Sequence, residues 1–294
     1  MEGRGAALRT LLGGEAPVLA PLVLNPMMAR LAEHAGFPAL YLGGGSMGYL
    51  GCVTEANLSL TEMAHAGLEI RANCPLPLIL DAACGWGDPM HLHRTIATAE
   101  AAGFAAIEIE DQILPKRAHH HVGVEHLVPL EMMAAKVAEA VAVRRDPGFI
   151  VIARTNAVRG NARRAGSIDE ALRRGEAMHR AGADMLFITA REPEALRRIG
   201  EGLPPPLMFM MGNGGIAAAG ITADELFGLG FRLFVDPVMP LLAMHRAMRD
   251  SYAALRDGRP DPLIGGTGAT EQEALHQTIG LEALLEVERR TTER

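Results

Sequence analysis

Residues 92–112 read LHRTIATAEAAGFAAIEIEDQ. The apolar positions of Leu92–Ala102 fall three and four apart, as on one face of a helix. Gly103 follows, the residue that most cheaply takes the left-handed turn past a helix end. Ala105–Ile109 is a short run with the look of a buried strand, and Glu110-Asp111-Gln112 is its polar exit. The same helix–glycine–strand junction recurs at Ala35-Gly36 and Ala181-Gly182. Around these junctions the chain offers eight strand candidates: Val18–Leu22, Ala39–Leu42, Leu78–Leu80, Ala105–Ile109, Phe149–Ala153, Met185–Ile188, Leu207–Met210 and Leu233–Val235. They are apolar nearly throughout, which suits strands covered on both faces of a parallel sheet. Helical spacing is clearest in Leu92–Ala102, Leu130–Val143, Ile168–Ala181 and Glu192–Ile199. Eight alternating repeats predict an α/β fold, a (β/α)8 TIM barrel with extra C-terminal helices. The barrel is expected over residues 1–256. A Gly- and Pro-rich linker, 257–269, and one long helix over Glu271–Arg290 make up 257–294, a segment expected to pack on a neighbouring subunit.

The composition narrows the function. The 294 residues carry a net charge of −7 with only 28 Lys and Arg, so no general attraction to nucleic acid or to an anionic membrane is expected. The short basic pairs Arg163-Arg164 and Arg173-Arg174 read as solvated helix faces. No apolar run approaches the ~18–20 residues of a membrane span, and MEGRGAALRTLL is too short in apolar content for a signal peptide. A cytoplasmic protein is the expectation. Cys52, Cys74 and Cys84 form no CxxC pair and no disulfide framework.

In such a barrel the chemistry belongs to the loops after the strands. The strand ends supply Gly43-Gly44-Gly45-Ser46, Asp81, Glu110-Asp111-Gln112, Arg154-Thr155-Asn156, Thr189 and Asp236. Acids after strands three and four, facing an arginine after strand five, suit a divalent metal and a carboxylate ligand. Mg²⁺, or Mn²⁺ in its place, binds through a few carboxylates and keeps several waters, and arginine offers a carboxylate a planar fork. Each feature also has a plain reading: Asp81 as a turn cap, and Glu110 and Asp111 as structural partners of Lys116 or Arg117.

Ile109-Glu110-Asp111-Gln112, Pro115-Lys116-Arg117 and Ile152-Ala153-Arg154-Thr155-Asn156-Ala157 resemble the isocitrate lyase/phosphoenolpyruvate mutase superfamily. Tyr41-Leu42-Gly43-Gly44-Gly45, Leu80-Asp81-Ala82 and Gly85-Trp86-Gly87 fit the same pattern in the same order, and the likeness runs from about Leu8 to Leu255. Within the superfamily it looks nearest to the branch of methylisocitrate lyases, dimethylmalate lyases and oxaloacetate decarboxylases. The resemblance implies that Asp81 and Glu110 hold Mg²⁺ and that Arg154 grips the substrate carboxylate. It implies that the amides of the Gly44-Gly45 turn bind the 2-oxo acid end; Ser46 and Thr189, at the ends of strands two and six, are further candidate substrate contacts. The shared chemistry stabilises a pyruvate-like enolate, and oligomers, dimeric or tetrameric, are common in the family.

The chain departs from the pattern where protons move. The family's lyase cysteine is replaced by Ala118, in Lys116-Arg117-Ala118-His119-His120-His121. The second acid of the family's Asp-Ala-Asp is Ala83, the glutamate after strand six is Thr189, and the Asn and Glu after strand seven are missing. The acid after strand two is at best Glu55. His119 or His120 is therefore expected to transfer the proton, since imidazole titrates near neutrality; metal binding by the histidines and a plain solvent-facing loop are the other readings. The expectation is a Mg²⁺-assisted lyase or decarboxylase acting on a small 2-hydroxy or 2-oxo acid. A C–P bond mutase or hydrolase, or a barrel that only binds a metabolite, are the alternatives.

Overall fold

The computed structural model describes residues 4–159 and 166–293. Among these residues, eight parallel strands form one sheet. They are β1 (Val18–Pro21), β2 (Leu40–Leu42), β3 (Leu78–Asp81), β4 (Ala106–Glu110), β5 (Ile150–Thr155), β6 (Met185–Ile188), β7 (Leu207–Met210) and β8 (Phe231–Asp236). Consecutive strands pair from β2 round to β8, β8 pairs with β1, and a parallel bridge between Leu22 and Tyr41 closes the ring. Helices α1 (Arg4–Leu12), α2 (Pro26–His34), α3 (Gly44–Leu50), α4 (Leu60–Asn73), α5 (Pro89–Ala101) and α6 (Leu130–Val143) accompany the first half of the chain. Helices α7 (Ile168–Arg180), α8 (Pro193–Gly202), α9 (Ala223–Gly228), α10 (Met239–Arg256), α11 (Gly268–Ile279) and α12 (Leu281–Thr291) accompany the second. The architecture is a (β/α)8 barrel with additional C-terminal helices. Among the described residues, no helix is long and apolar enough to cross a membrane.

The core has two layers because side chains alternate along a strand. Tyr41, Ile79, Ile150, Ile152, Met185, Phe187, Met208, Leu233 and Val235 fill the inside of the ring. Leu40, Leu42, Leu78, Leu80, Ile107, Ile109, Val151 and Phe209 point outward against the helices. This alternation also sets the chemistry. Stepping two residues on from Ile79 brings Asp81 inside; two and four from Ala106 bring Glu108 and Glu110; two from Ile152 brings Arg154.

One expected helix is corrected. Glu271–Arg290 is not continuous but divides into α11 and α12 at Gly280, which takes a left-handed backbone (φ 71°). Ending one helix and starting the next there leaves α11 lying against α2. The basic pair Arg163-Arg164 lies outside the described residues.

Helix α1 is an element that strand–helix alternation does not call for. It closes the N-terminal mouth of the barrel: Leu8 is fully buried among the inward-facing side chains. Arg9 Nε donates to the Gly148 carbonyl at 2.9 Å, and Arg9 Nη2 pairs with Asp184 at 2.7 Å. Gly5 lets the helix approach, since a Cβ there would overlap the backbone of Gly148. The substitution Gly5→Ala should therefore destabilise the fold by about 1–3 kcal/mol, overpacking outweighing alanine's better helix propensity of ~1 kcal/mol. Chemical denaturation measures this, and a variant as stable as the parent chain would separate α1 from the barrel's stability.

Candidate active site

The site lies inside the C-terminal end of the barrel and is organised around Arg154. Its guanidinium rests over the Phe187 ring, 5.1 Å from the centroid. Nη1 donates to Glu108 Oε1 at 2.8 Å, while Nε and Nη2 share Asn156 Oδ1 at 3.2 and 3.1 Å. A guanidinium has five N–H donors. Three are committed among the described residues, leaving one each on Nη1 and Nη2. Asn156 is fixed in turn: its Nδ2 donates to Glu110 Oε2 at 2.8 Å, and Thr189 Oγ1 donates to its Oδ1 at 2.9 Å.

Glu108 was not anticipated. It is buried under Arg154, and its second oxygen accepts from the Tyr41 hydroxyl at 3.0 Å. Its position two residues before Glu110 was the available signal, because both must face the same side of β4. Burial and the neighbouring Asp81 charge push Glu108 up to about 8, against the pull of Arg154.

Asp81 ends β3 between two backbone amides. Gly44 N–H donates to Oδ2 and Ala83 N–H to Oδ1, each at 3.0 Å. The turn-capping reading of Asp81 is thus realised, alongside its place in the site. A Cβ at position 44 would overlap the Glu55 carboxylate and force it to shift. The Gly44 amide is spent on Asp81, which leaves the Gly45 and Ser46 amides at the start of α3, where no intrahelical acceptor is available. Ser46 is buried, and its hydroxyl is turned away, donating to the Pro237 carbonyl at 2.5 Å.

Lys116 bridges Glu55 and Glu110, all three buried. The structure places Glu55 beside Lys116, on the side opposite Glu110. Burial and the Asp81 charge push Glu55 up to about 7, against Lys116. Burial would also raise Glu110, but Lys116 and Arg154 outweigh it and hold Glu110 well below the usual carboxylate range. Asp111, next in sequence, points the other way out of β4. It accepts from Thr155 Oγ1 at 2.6 Å, from Asn156 N–H at 3.1 Å and from Arg174 Nη1 at 3.1 Å. The reading of Arg173-Arg174 as a solvated face is thus half corrected: Arg173 is exposed, whereas Arg174 is buried and anchors Asp111.

The three histidines diverge. His119 is exposed and faces His126, with the ring nitrogens 3.4 Å apart, and His121 bonds the Tyr49 hydroxyl at 2.9 Å. His120 turns inward. Its Nδ1 lies 2.9 Å from Gln112 Nε2 and 3.3 Å from Glu125 Oε2, and its Nε2 lies 4.0 Å from Glu55. Gln112 also donates to Glu125, which pairs with Arg159 at 3.3 Å. Of the residues the sequence singles out, Glu110, Arg154 and Thr189 meet at Asn156, His120 reaches the site through Glu55, and His119 stays outside. Cys84 offers no substitute for the missing loop cysteine, because burial pushes its thiol up.

Among the described residues, no three His, Cys, Asp or Glu side chains converge as a metal cage. The charge balance nevertheless suits a dication. Among the described residues, Asp81, Glu55, Glu108 and Glu110 are met by Lys116 and Arg154, and the excess of negative charge adds to burial in the upward pull on Glu55 and Glu108. Mg²⁺ needs few protein ligands and keeps its waters, so Asp81 and Glu110 fit a water-rich site.

The family model described as phosphoenolpyruvate phosphomutase matches residues 8–256. The 2,3-dimethylmalate lyase of Eubacterium barkeri is 35% identical over 286 residues, covering 96% of each chain. A crystal structure of phosphoenolpyruvate phosphomutase from Streptomyces platensis subsp. rosaceus superposes with a TM-score of 0.87 at 28% identity, over 99% of this chain and 100% of that one. Phosphonopyruvate hydrolase in complex with oxalate and Mg²⁺ gives a TM-score of 0.83 at 28% identity, over 99% of both chains. With the barrel, the inward acids and Arg154 in the order the family pattern requires, the chain belongs to the phosphoenolpyruvate phosphomutase family, within the isocitrate lyase/phosphoenolpyruvate mutase superfamily of enzymes that act on small carboxylic acids.

Proposed function

We propose that the chain is a Mg²⁺-assisted lyase or decarboxylase that converts a small 2-oxo or 2-hydroxy acid through a pyruvate-like enolate. The observation that carries this reading is Arg154, held on three sides by Glu108, Asn156 and Phe187 with one N–H left on each terminal nitrogen. Two such donors match the two oxygens of a carboxylate, and a preorganised charge-assisted pair is the strong form of this contact. Gly45 and Ser46 would add backbone amides to the 2-oxo acid end, and Thr189 would keep Asn156 turned toward Arg154.

Bound by Asp81 and Glu110, Mg²⁺ or Mn²⁺ would supply positive charge to oxygen as the enolate forms. When a 2-oxo acid loses CO₂, the electron pair of the broken C–C bond remains on the acid as the enolate; when a 2-hydroxy acid is cleaved, its hydroxyl proton is lost, the C2 carbonyl forms and the pair goes to the carbon of the departing fragment. His120 would then deliver a ring proton to the carbon that holds the pair, with Gln112 and Glu125 fixing the ring at Nδ1. Loss of CO₂ fits Ala118 better than cleavage to a carbon leaving group, because CO₂ departs without being protonated. The oxalate and Mg²⁺ in phosphonopyruvate hydrolase support the reading, oxalate being a planar mimic of a pyruvate enolate. The same proposal takes residues 257–294 as an appendage that packs on a second copy, giving a homo-oligomer: Leu275, Ile279, Leu284, Leu285 and Val287 leave an apolar surface on α11 and α12 exposed.

Turnover of a panel of 2-oxo and 2-hydroxy acids tests the reaction class. Arg154→Ala should lower kcat/KM by on the order of 10²-fold or more, from the loss of ~2–4 kcal/mol of charge-assisted contact. Normal turnover in the folded variant would remove Arg154 from the site. Exhaustive chelation should abolish activity and added Mg²⁺ or Mn²⁺ should restore it; turnover indifferent to chelation would end the metal assignment. His120→Gln should slow turnover while oxalate affinity is retained, and His119→Gln should leave both unchanged. Full activity in the double variant would exclude both as proton donors.

A further inference from the structure

The histidine loop carries a pair of imidazoles that the proposed reaction leaves unused. His119 Nδ1 and His126 Nε2 stand 3.4 Å apart, with ring centroids 5.6 Å apart and planes inclined by 37°. His119 is exposed and His126 half-buried, so the pair borders solvent. The backbone holds the two rings at this separation. The His119 carbonyl accepts from Val124 N–H at 3.1 Å, and Gly123 takes a left-handed backbone (φ 76°) where the short 3-10 helix Ala118–Val122 ends. The His126 carbonyl accepts from Ile113 N–H at 2.8 Å, beside an antiparallel bridge between Gln112 and Leu127. The rings thus project from opposite arms of a turn that is tied at both ends.

As a hydrogen bond the contact is poor, since N–H donors favour acceptors at about 2.7–3.2 Å. As a chelating bite it has the right width: two nitrogens at ~2.0–2.1 Å from a tetrahedral ion stand about 3.3–3.4 Å apart. Each ring needs only the neutral tautomer that leaves the facing nitrogen bare. Imidazole suits Zn²⁺, Ni²⁺ and Cu²⁺, whereas Mg²⁺ keeps to oxygen. Among the described residues no third His, Cys, Asp or Glu completes a cage. Water therefore fills the remaining positions, and the site is weaker than a structural zinc with four protein ligands.

We propose that His119 and His126 form a chelating site for a divalent transition metal of the Zn²⁺ class, separate from the acids of the barrel interior. The assignment is independent of the enolate reading. A bound ion staples the two arms of the turn together, and the segment between them carries His120 and Glu125. Occupancy therefore stiffens the turn from which His120 reaches inward.

The full-length protein, kept in excess Mg²⁺ to fill sites built from oxygen, is titrated with Zn²⁺ by calorimetry at about pH 8, where imidazole is neutral. Amide hydrogen exchange is then read with and without Zn²⁺. A single ion should bind with the highest affinity, and exchange at Gly123 and Val124 should slow. Mg²⁺ alone should leave exchange in the turn unchanged. His119→Ala and His126→Ala should each weaken Zn²⁺ by on the order of 10²-fold, because one imidazole remains. His119→Gln, which keeps the bulk of the side chain without a bare ring nitrogen, should lose the ion as His119→Ala does. His65→Ala removes an exposed histidine of α4 and should bind Zn²⁺ as the parent chain does. No binding with Zn²⁺ in excess would overturn the site, as would an affinity unchanged in both alanine variants. Loss in only one of them would reduce the site to a lone histidine and overturn the pairing. Binding without slowed exchange in the turn would overturn the staple.

Discussion

Arg154 is held between carboxylates in the interior of the barrel, and the geometry of the site follows from that placement. A buried guanidinium without partners would carry a desolvation cost of several kcal/mol. Here Glu108 takes one edge, Asn156 another, and Phe187 lies beneath. Each partner is anchored from a different strand or loop: Tyr41 of β2 holds Glu108, Thr189 after β6 holds Asn156, and Lys116 from the loop after β4 holds Glu110. Moving any one of these strands would disturb the others through the same cation. The barrel's rigidity and the site's precision thus have a common cause, the two-residue alternation that turns Asp81, Glu108, Glu110 and Arg154 to one side.

The charge balance explains why the site can serve an anionic substrate despite its acids. Lys116 compensates Glu55 and Glu110 locally, and Asp81 is stabilised by two amides instead of a cation. What remains is a local excess of negative charge beside a guanidinium with two open donors. On the proposed reading, such a surface would favour a carboxylate that arrives with a divalent cation over a carboxylate alone. Arg174 and Arg159 keep Asp111 and Glu125 out of this balance by pairing with them at its edge.

Much of this was legible in the sequence, for identifiable reasons. The eight strands announced themselves because each is a short, mostly apolar run, and most of them are closed by a glycine or a charged residue. Asp81, Glu110 and Arg154 stood out as charged residues closing apolar runs. Glu108 did not, because a lone acid inside a strand looks like an interruption of the pattern, although its spacing from Glu110 carried the information. Glu55 lies too far from any strand end for its register to be counted along the chain, and only Lys116 ties it to the site. Three adjacent histidines could not be ranked without knowing that residues 118–122 form a short 3-10 helix, which points consecutive side chains apart. Likewise, nothing local distinguishes Arg174 from Arg173, since burial depends on which way α7 faces Asp111.

With α1 lodged in the N-terminal mouth and Leu8 sealed beneath the inward-facing side chains, the barrel is a cup rather than a tube. Every molecule that enters must leave by the rim it crossed, past Lys116 and the histidine loop. A reaction that splits one acid into two fragments then imposes an exit order. The fragment nearer the rim departs first, and the piece held on Arg154 stays until the way above it clears. Traffic through a single doorway makes the deeper product a competitor of the incoming substrate, a property of the vessel's shape rather than of any catalytic group within it.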